Sequence, residues 1–276
     1  MTISVAYTAV LDANRQTVQF VSDLLAAERI RRGTRAGTRA LGCFAQAVLV
    51  LRWFCDGTRL AQLARDNTIG VSTAYRYLHE GIEVLADRKP SLHSALLAAK
   101  MAGHTHINID GTLIYTDRCH LPGPTPGVDL WWSGKHHHHG GNIQVVSTPD
   151  GWPLWTSDVR PGREHDTTCL REHAEMLPAL REWTGDNLPA LADLGYEGEA
   201  PILILPIKKP ADRTLTDDQR QHNWLQAYAR ARAEQANSLL KTTFKALRRV
   251  SLSPDVIGAV AAGALVLLHI EHQRTT

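Results

Sequence analysis

Two acids in this sequence directly follow apolar, β-prone runs. Asp110 comes straight after Ile107-Asn108-Ile109, and Asp193 closes the run that begins at Leu188. An acid at or near the end of a strand is held rigidly beside a crevice. Its charge there is costly unless it is paired or coordinates a metal. Either acid alone fits an N-cap or a turn equally well, but two of them on separate apolar strands point to a site. A third acid lies further on, where Arg230, Glu234, Asn237, Lys241, Lys245 and Arg248 follow steps of three or four. Such spacing makes one polar stripe on a helix, and spacing alone fits an ordinary surface helix with Glu–Lys pairs. Glu234 is the single acid in that stripe. Carboxylate oxygens suit a hard divalent ion such as Mg²⁺ or Mn²⁺, which keeps coordination positions open for water and phosphate. Two ions held by shared carboxylates can activate the attacking oxygen and stabilise the leaving one in a phosphodiester displacement. Arg230, Lys241 and Lys245 would then hold a nucleic-acid backbone.

These acids need a sheet and a helix to carry them. Residues 105–109 are expected to form a strand, residues 142–146 and 152–159 a hairpin about Ser147-Thr148-Pro149-Asp150-Gly151, and residues 165–177 a helix ending before Pro178. Apolar runs at 188–191 and 202–207 follow, and one long helix is expected over 216–249. This order predicts a mixed α/β domain over residues 91–276, with residues 90–103 as the join to what precedes it.

Residues 1–90 read differently. Val18, Val21, Leu24, Leu25 and Ile30 mark an amphipathic helix over 14–30, and a basic segment with Arg31, Arg32 and Arg35 follows it. Helices are expected over 41–54, 60–66 and 71–87, the last with Ser72 as N-cap and Tyr75, Leu78, Ile82 and Leu85 as its buried stripe. The turn at Asn67-Thr68-Ile69-Gly70 makes this a helix-turn-helix layout, whose second helix would present Ser72, Thr73 and Arg76 to a major groove. A three-helix bundle without a ligand has the same pattern.

Bulk composition sets the frame. With 276 residues and 43% hydrophobic content the chain can bury a large core, while a formal charge of +2 says little about partners. Cys43, Cys55, Cys119 and Cys169 are scattered, which fits a reducing cytosol and excludes zinc-knuckle spacing. No signal peptide is evident, and the apolar run 256–270 is shorter than the roughly 20 residues that span a bilayer, so a buried helix and no membrane are expected. The histidines at 136–139 suggest a loop or phosphate contact rather than a metal site, because neighbours in a strand point to opposite faces.

Five stretches together carry a resemblance. Ile109-Asp110-Gly111-Thr112-Leu113-Ile114, Ser133-Gly134-Lys135, Pro161-Gly162-Arg163-Glu164-His165-Asp166, Ala192-Asp193-Leu194-Gly195-Tyr196 and residues 230–241 resemble the Asp-Asp-Glu transposases of bacterial insertion sequences. More narrowly they resemble the insertion-sequence-five group, related to the Harbinger transposases; the four histidines depart from its usual mixed basic patch. The resemblance implies an RNase H-like fold, catalytic and metal-binding roles for Asp110, Asp193 and Glu234, and Asp166 as a companion acid. It implies two Mg²⁺ or Mn²⁺ ions and double-stranded DNA as partner, both terminal inverted repeats and target. DNA contacts would come from Arg31, Arg32, Arg35, Ser72, Thr73, Arg76, Lys135, Arg230, Lys241 and Lys245. The expected setting is the bacterial cytoplasm at the nucleoid, as a homodimer or larger assembly on DNA. A nuclease without strand transfer, and a catalytically silent DNA-binding regulator, are the competing readings.

Overall fold

The computed structural model describes residues 10–117 and 119–276, so the first nine residues of the expected helical domain lie outside the described residues. The chain divides into two units, one ending at Val84 and the other running from Leu85 to Thr276.

The first unit is helical, with α1 (Arg15–Arg31), α2 (Cys43–Asp56), α3 (Leu60–Asp66) and most of α4 (Val71–Ala86). Helix α1 packs on α2. Gly57, in the left-handed region that favours glycine, ends α2. Gln46 of α2 is fully buried and gives its amide nitrogen to Tyr77 O at 3.1 Å and to Glu80 at 2.8 Å. Arg39 also pairs with Glu80, so that buried carboxylate is held by a cation and an amide. Two expectations for α4 are corrected. The helix starts at Val71, which places Ser72 inside its first turn rather than at the cap. Tyr75 is 40% exposed, and Ala74 and Tyr77 take its place in the buried stripe beside Leu78 and Ile82.

The second unit is a mixed α/β fold. Helix α5 (Leu92–Met101) opens it, capped by the Ser91 side chain, in the segment expected to be a plain join. The strands are β1 (Ile107–Tyr115), β2 (Trp132–Ser133), β3 (His138–Ser147), β4 (Pro153–Thr156), β5 (Arg160–Pro161) and β6 (Ala190–Leu191). They form one sheet in the order β2-β3-β1-β6, with β4 and β5 also pairing with β3. The β1–β3 pair is long and antiparallel, from Asn108 opposite Ser147 to Tyr115 opposite Gly140. Strand β6 runs parallel to β1 for two residue pairs only, Ile107 with Ala190 and Asn108 with Leu191. Beyond Asn108, β6 no longer covers that edge of β1.

Helices cover both faces of the sheet. Ile107, Ile109, Val146 and Trp155 pack with α5, with Leu170 of α6 (Asp166–Glu172) and with Leu180 and Trp183 of α7 (Met176–Gly185). The single helix expected over 165–177 is thus two. Pro178 lies in the first turn of α7, where its missing N–H is no loss. On the other face lie α9 (Ala233–Thr243), against β1 and β3, and α10 (Ile257–His272), against β4 and α9. Helix α10 is part of an apolar stretch, Pro254–Glu271, long enough by composition to cross a membrane, yet it is mostly buried as a core helix. Gly258 lets it approach the sheet closely, since a Cβ there would stand 2.7 Å from Val159 N.

Two further expectations are corrected. Residues 202–207 make a single parallel bridge, Leu191 with Ile204, instead of a strand. The long terminal helix breaks into α8 (Asp217–Arg230) and α9, followed by a 3-10 turn at Lys245–Leu247. Helix α8 has the Thr216/Gln219 capping box. No Gly or Pro marks the break. Gln226 of α8 is tied to Ala192 O at 2.8 Å, while Lys241 of α9 is tied to Thr112 and Leu113 of β1. These anchors on opposite sides of residues 231–232 override local helix propensity.

Candidate active site

Asp110 lies in the middle of β1, not at its end, because Gly111 to Tyr115 continue the pairing with β3. Its side chain is 20% exposed and faces α9, where Asn237 Nδ2 donates to Oδ2 at 2.7 Å. Arg230 Nη2 stands 3.8 Å from Oδ1. Burial pushes the Asp110 carboxyl up from an ordinary 3.8 to about 6; Arg230 opposes this, and the charges of Asp193, Asp166 and Glu234 add to it, in that order.

Asp193 does sit past a strand end, two residues beyond β6, where it caps the 3-10 turn Leu194–Glu199 and accepts from Gly195 N at 2.8 Å. Asp166, the first residue of α6, comes to the sheet from the face opposite α9. Its position depends on two glycines. A Cβ on Gly111 would stand 2.2 Å from Asp166 Oδ1. A Cβ on Gly195 would stand 2.8 Å from Asp193 Oδ1 and 2.9 Å from Asp166 Oδ2, so both acids crowd the same point. Asp166 and Asp193 therefore crowd one point beside Gly111 and Gly195, and their charges act on Asp110 from there.

Glu234 lies in the first turn of α9 and is exposed, while Asn237, one turn later, is the residue of α9 that touches Asp110. Among the described residues no group of three or more His, Cys, Asp or Glu is drawn into metal-holding geometry. Like charges without a compensating cation repel one another, and the carboxylate oxygens here are engaged by Asn237, Asn142 and Gly195 N.

A buried polar network supports Asp166. Asn142 Nδ2 donates to Asp166 Oδ1 at 2.9 Å, Gln144 Nε2 donates to Asn142 Oδ1 at 3.0 Å, and the Tyr196 hydroxyl donates to Gln144 Oε1. Burial holds the Tyr196 phenol well above its ordinary range, so it stays a donor. The sequence marks Asn142 and Gln144 only as parts of a strand. Their face of that strand is covered by α6.

The cations fall into distinct places. Lys241 is drawn onto β1, its Nζ 2.7 Å from Thr112 Oγ1 and 3.1 Å from Leu113 O. Burial lowers its pKa while Asp110 raises it. Lys135 is 70% exposed and stands 3.8 Å from Asp166 Oδ2; Lys245 is exposed. A cleft of about 360 Å³ opens beside Asp166 between Gly111, Lys135, His136, Arg163, His165 and Gly195. Of the other histidines, His138 makes a tilted ring contact with Tyr115 and His139 bonds Asp129 at 3.1 Å. In the helical unit, Arg31 and Arg32 pair with Glu28, and Arg32 also reaches Glu83 at 3.3 Å. Arg35, Ser72 and Arg76 are exposed, and Thr73 Oγ1 accepts from Arg76 at 3.2 Å.

A mixed sheet that gathers carboxylates at one open strand edge, with cations close by, has the groups required for metal-assisted chemistry on phosphate esters. Residues 109–269 match the DDE superfamily endonucleases, and the chain belongs to that family. A search of the curated proteins found no match. Among solved structures, the mariner Mos1 paired end complex with Mg is similar at 12% identity, over 79% of this chain and 82% of that chain, with a TM-score of 0.22. A pre-cleavage Mos1 transpososome is similar at 12% identity, over 90% of this chain and 85% of that chain, with a TM-score of 0.21.

The glycine crowding gives a direct expectation. Gly195→Ala should push Asp193 and Asp166 apart and lower DNA cleavage about 100-fold, the scale on which a 1 Å misplacement acts. Cleavage rates and melting curves of the two proteins check this. Unchanged cleavage would show that the acids need not converge here.

Proposed function

We propose that this chain is a transposase of the insertion-sequence-five group, which binds the terminal inverted repeats of its element and carries out metal-dependent cleavage and strand transfer. The observation that carries this reading is the gathering of Asp110 and Asp193 from neighbouring strands, in a chain of the DDE endonuclease family. The sheet, with an antiparallel β2-β3-β1 set extended by parallel β6, supports an RNase H-like catalytic unit.

The donor set fits a hard divalent cation. It offers carboxylate oxygens from Asp110 and Asp193, and Asn237 Oδ1 beside Asp110 is buried without a partner. Asp110, Asp193 and Glu234 would hold Mg²⁺ or Mn²⁺, two ions in this reading, with Glu234 supplied by the first turn of α9. When bound, the ions supply charge stabilisation for an attacking and a leaving oxygen. Arg230 and Lys241 balance the acids from α8 and α9. Lys135 and Lys245, both exposed, would meet DNA phosphates at the rim. The enzyme would act on double-stranded DNA at the bacterial nucleoid, as a dimer or larger assembly bridging two ends. Supplying a pre-cut end with a 3′-hydroxyl together with target DNA tests the reading: joined product supports it, and cutting without joining would reduce the protein to a nuclease.

In this reading the helical unit recognises the ends, with α3 and α4 as a helix-turn-helix. Arg35→Ala should weaken binding to all sequences and reduce the log–log salt slope by about 1, whereas Arg76→Ala should cost about 1–3 kcal/mol on end sequences only. Fluorescence anisotropy at several salt concentrations measures both. A fragment lacking residues 1–90 that binds ends as tightly as the whole chain would refute the assignment.

A further inference from the structure

We infer that Tyr196, Gln144 and Asn142 form a positioning relay that fixes Asp166 as an additional ligand of the catalytic cation. This rests on the metal-dependent reading above and adds a fourth acid to it. The relay has a single polarity. A carboxylate only accepts, so Asn142 must turn its nitrogen to Asp166 and its oxygen to Gln144; Gln144 must do the same towards Tyr196. Every group between the Tyr196 hydroxyl and the carboxylate is thereby oriented, and aligned hydrogen bonds strengthen one another. Tyr196 and Gln144 are fully buried and Asn142 nearly so. Such a polar chain through a core is costly to build unless fully satisfied. It ends on one oxygen of one acid.

Where that acid stands shows what the relay serves. Asp166 fills the space left by the absent side chains of Gly111 and Gly195, and its Oδ2 crowds the same point as Asp193 Oδ1. Asn142 holds Oδ1, while Oδ2 lies on the side of Asp193 and is ion-paired with Lys135 at 3.8 Å. An independent observation on the far side of β1 also points to a ligand. Asn237 is only 9% exposed, donates to Asp110, and leaves its own Oδ1 buried without a partner. An unused amide oxygen beside the carboxylate of Asp110 is a hard donor available to a cation. Groups that orient a ligating carboxylate set metal affinity, and their loss typically costs 10- to 100-fold.

The test measures Mn²⁺ binding by the intact chain without DNA, from the loss of the free-ion electron paramagnetic resonance signal. Asp166→Asn should weaken binding about 10- to 100-fold, and Tyr196→Phe about 10-fold. Introduced into the Asp166→Asn protein, Tyr196→Phe should change nothing further, because the relay acts only through that acid. Asn142→Ala, at the more accessible end, repeats the comparison should Tyr196→Phe unfold the protein. Binding left within twofold by Asp166→Asn overturns the assignment of Asp166. A further loss from Tyr196→Phe, or from Asn142→Ala, in the Asp166→Asn background overturns the relay. A wild-type chain that takes up no Mn²⁺ refutes the metal-dependent reading itself, and this inference with it.

Discussion

Asp110→Asn should abolish DNA cleavage and yet leave the metal-free protein more stable at neutral pH than the wild type. The first effect follows from the position of the carboxylate, buried in mid-strand at the gathering point of the acids. Metal-borne charge stabilisation is worth several kcal/mol, so losing the ligand proposed at Asp110 should cost more than about 10³-fold in rate at about 1.4 kcal/mol per tenfold. The second effect follows from the raised pKa. Burial, then neighbouring negative charges, lift the folded-state value to about 6 against an ordinary 3.8. Below about pH 4 the group is protonated in both folded and unfolded states and costs nothing. Between pH 4 and 6 the unfolded state ionises first, so folding becomes progressively less favourable. Above that window the penalty is full, on the order of 2–3 kcal/mol at about 1.4 kcal/mol per unit. Asparagine keeps the contact with Asn237 and carries no charge. Melting curves in chelator should therefore separate the two proteins at pH 7.5 and bring them together towards pH 4. An equal difference at both pH values would show that the acid is not held as described.

Removing divalent metal should have an effect as large as removing the acid. Cleavage should stop in excess chelator and return with added Mg²⁺ or Mn²⁺, since carboxylate oxygens such as those of Asp110 and Asp193 are hard ligands for such an ion. The same ions should raise the melting temperature of the wild type. Binding at a hundred times the dissociation constant stabilises by about 2.7 kcal/mol, and it also relieves the repulsion among Asp110, Asp166 and Asp193. Asp110→Asn should blunt that rise. Full cleavage in excess chelator would refute metal dependence.

The helical unit was legible because its signals are local. Apolar spacing and turn residues placed four helices within a residue or two; Ser72 and Tyr75 were misassigned by small shifts in where α4 begins and which face it buries, and Ile30, read with the apolar stripe of α1, is exposed. The α/β unit was harder to read, because its elements are settled by partners distant in sequence. The polar run Asp110-Gly111-Thr112 hid the second half of β1, which exists because β3 pairs with it. Pro178 marked a stop by its chemistry but stands where a helix tolerates it. The two acids of the strands could be picked out from the apolar runs before them. Asn142, Gln144 and Tyr196 could not, since a buried polar network leaves no periodic trace; only the helix that covers them makes them internal. The break at 231–232 was equally hidden, being imposed by anchors on the sheet.

That break divides the acid-bearing region by its resistance to opening. Asp110 belongs to β1, which shares its long ladder with β3 inside the main core, and α10 behind it is buried almost throughout. Amide protons in such elements exchange with solvent only when the whole unit unfolds. Helix α8 buries only Gln226 among its fourteen residues, and Trp224 and Tyr228 lie open to water. Its amides can exchange through local fraying that leaves the sheet intact. The strand-borne carboxylate is thus protected by the free energy of the entire unit, whereas Arg230, its guanidinium neighbour, depends on the survival of a single thinly anchored helix.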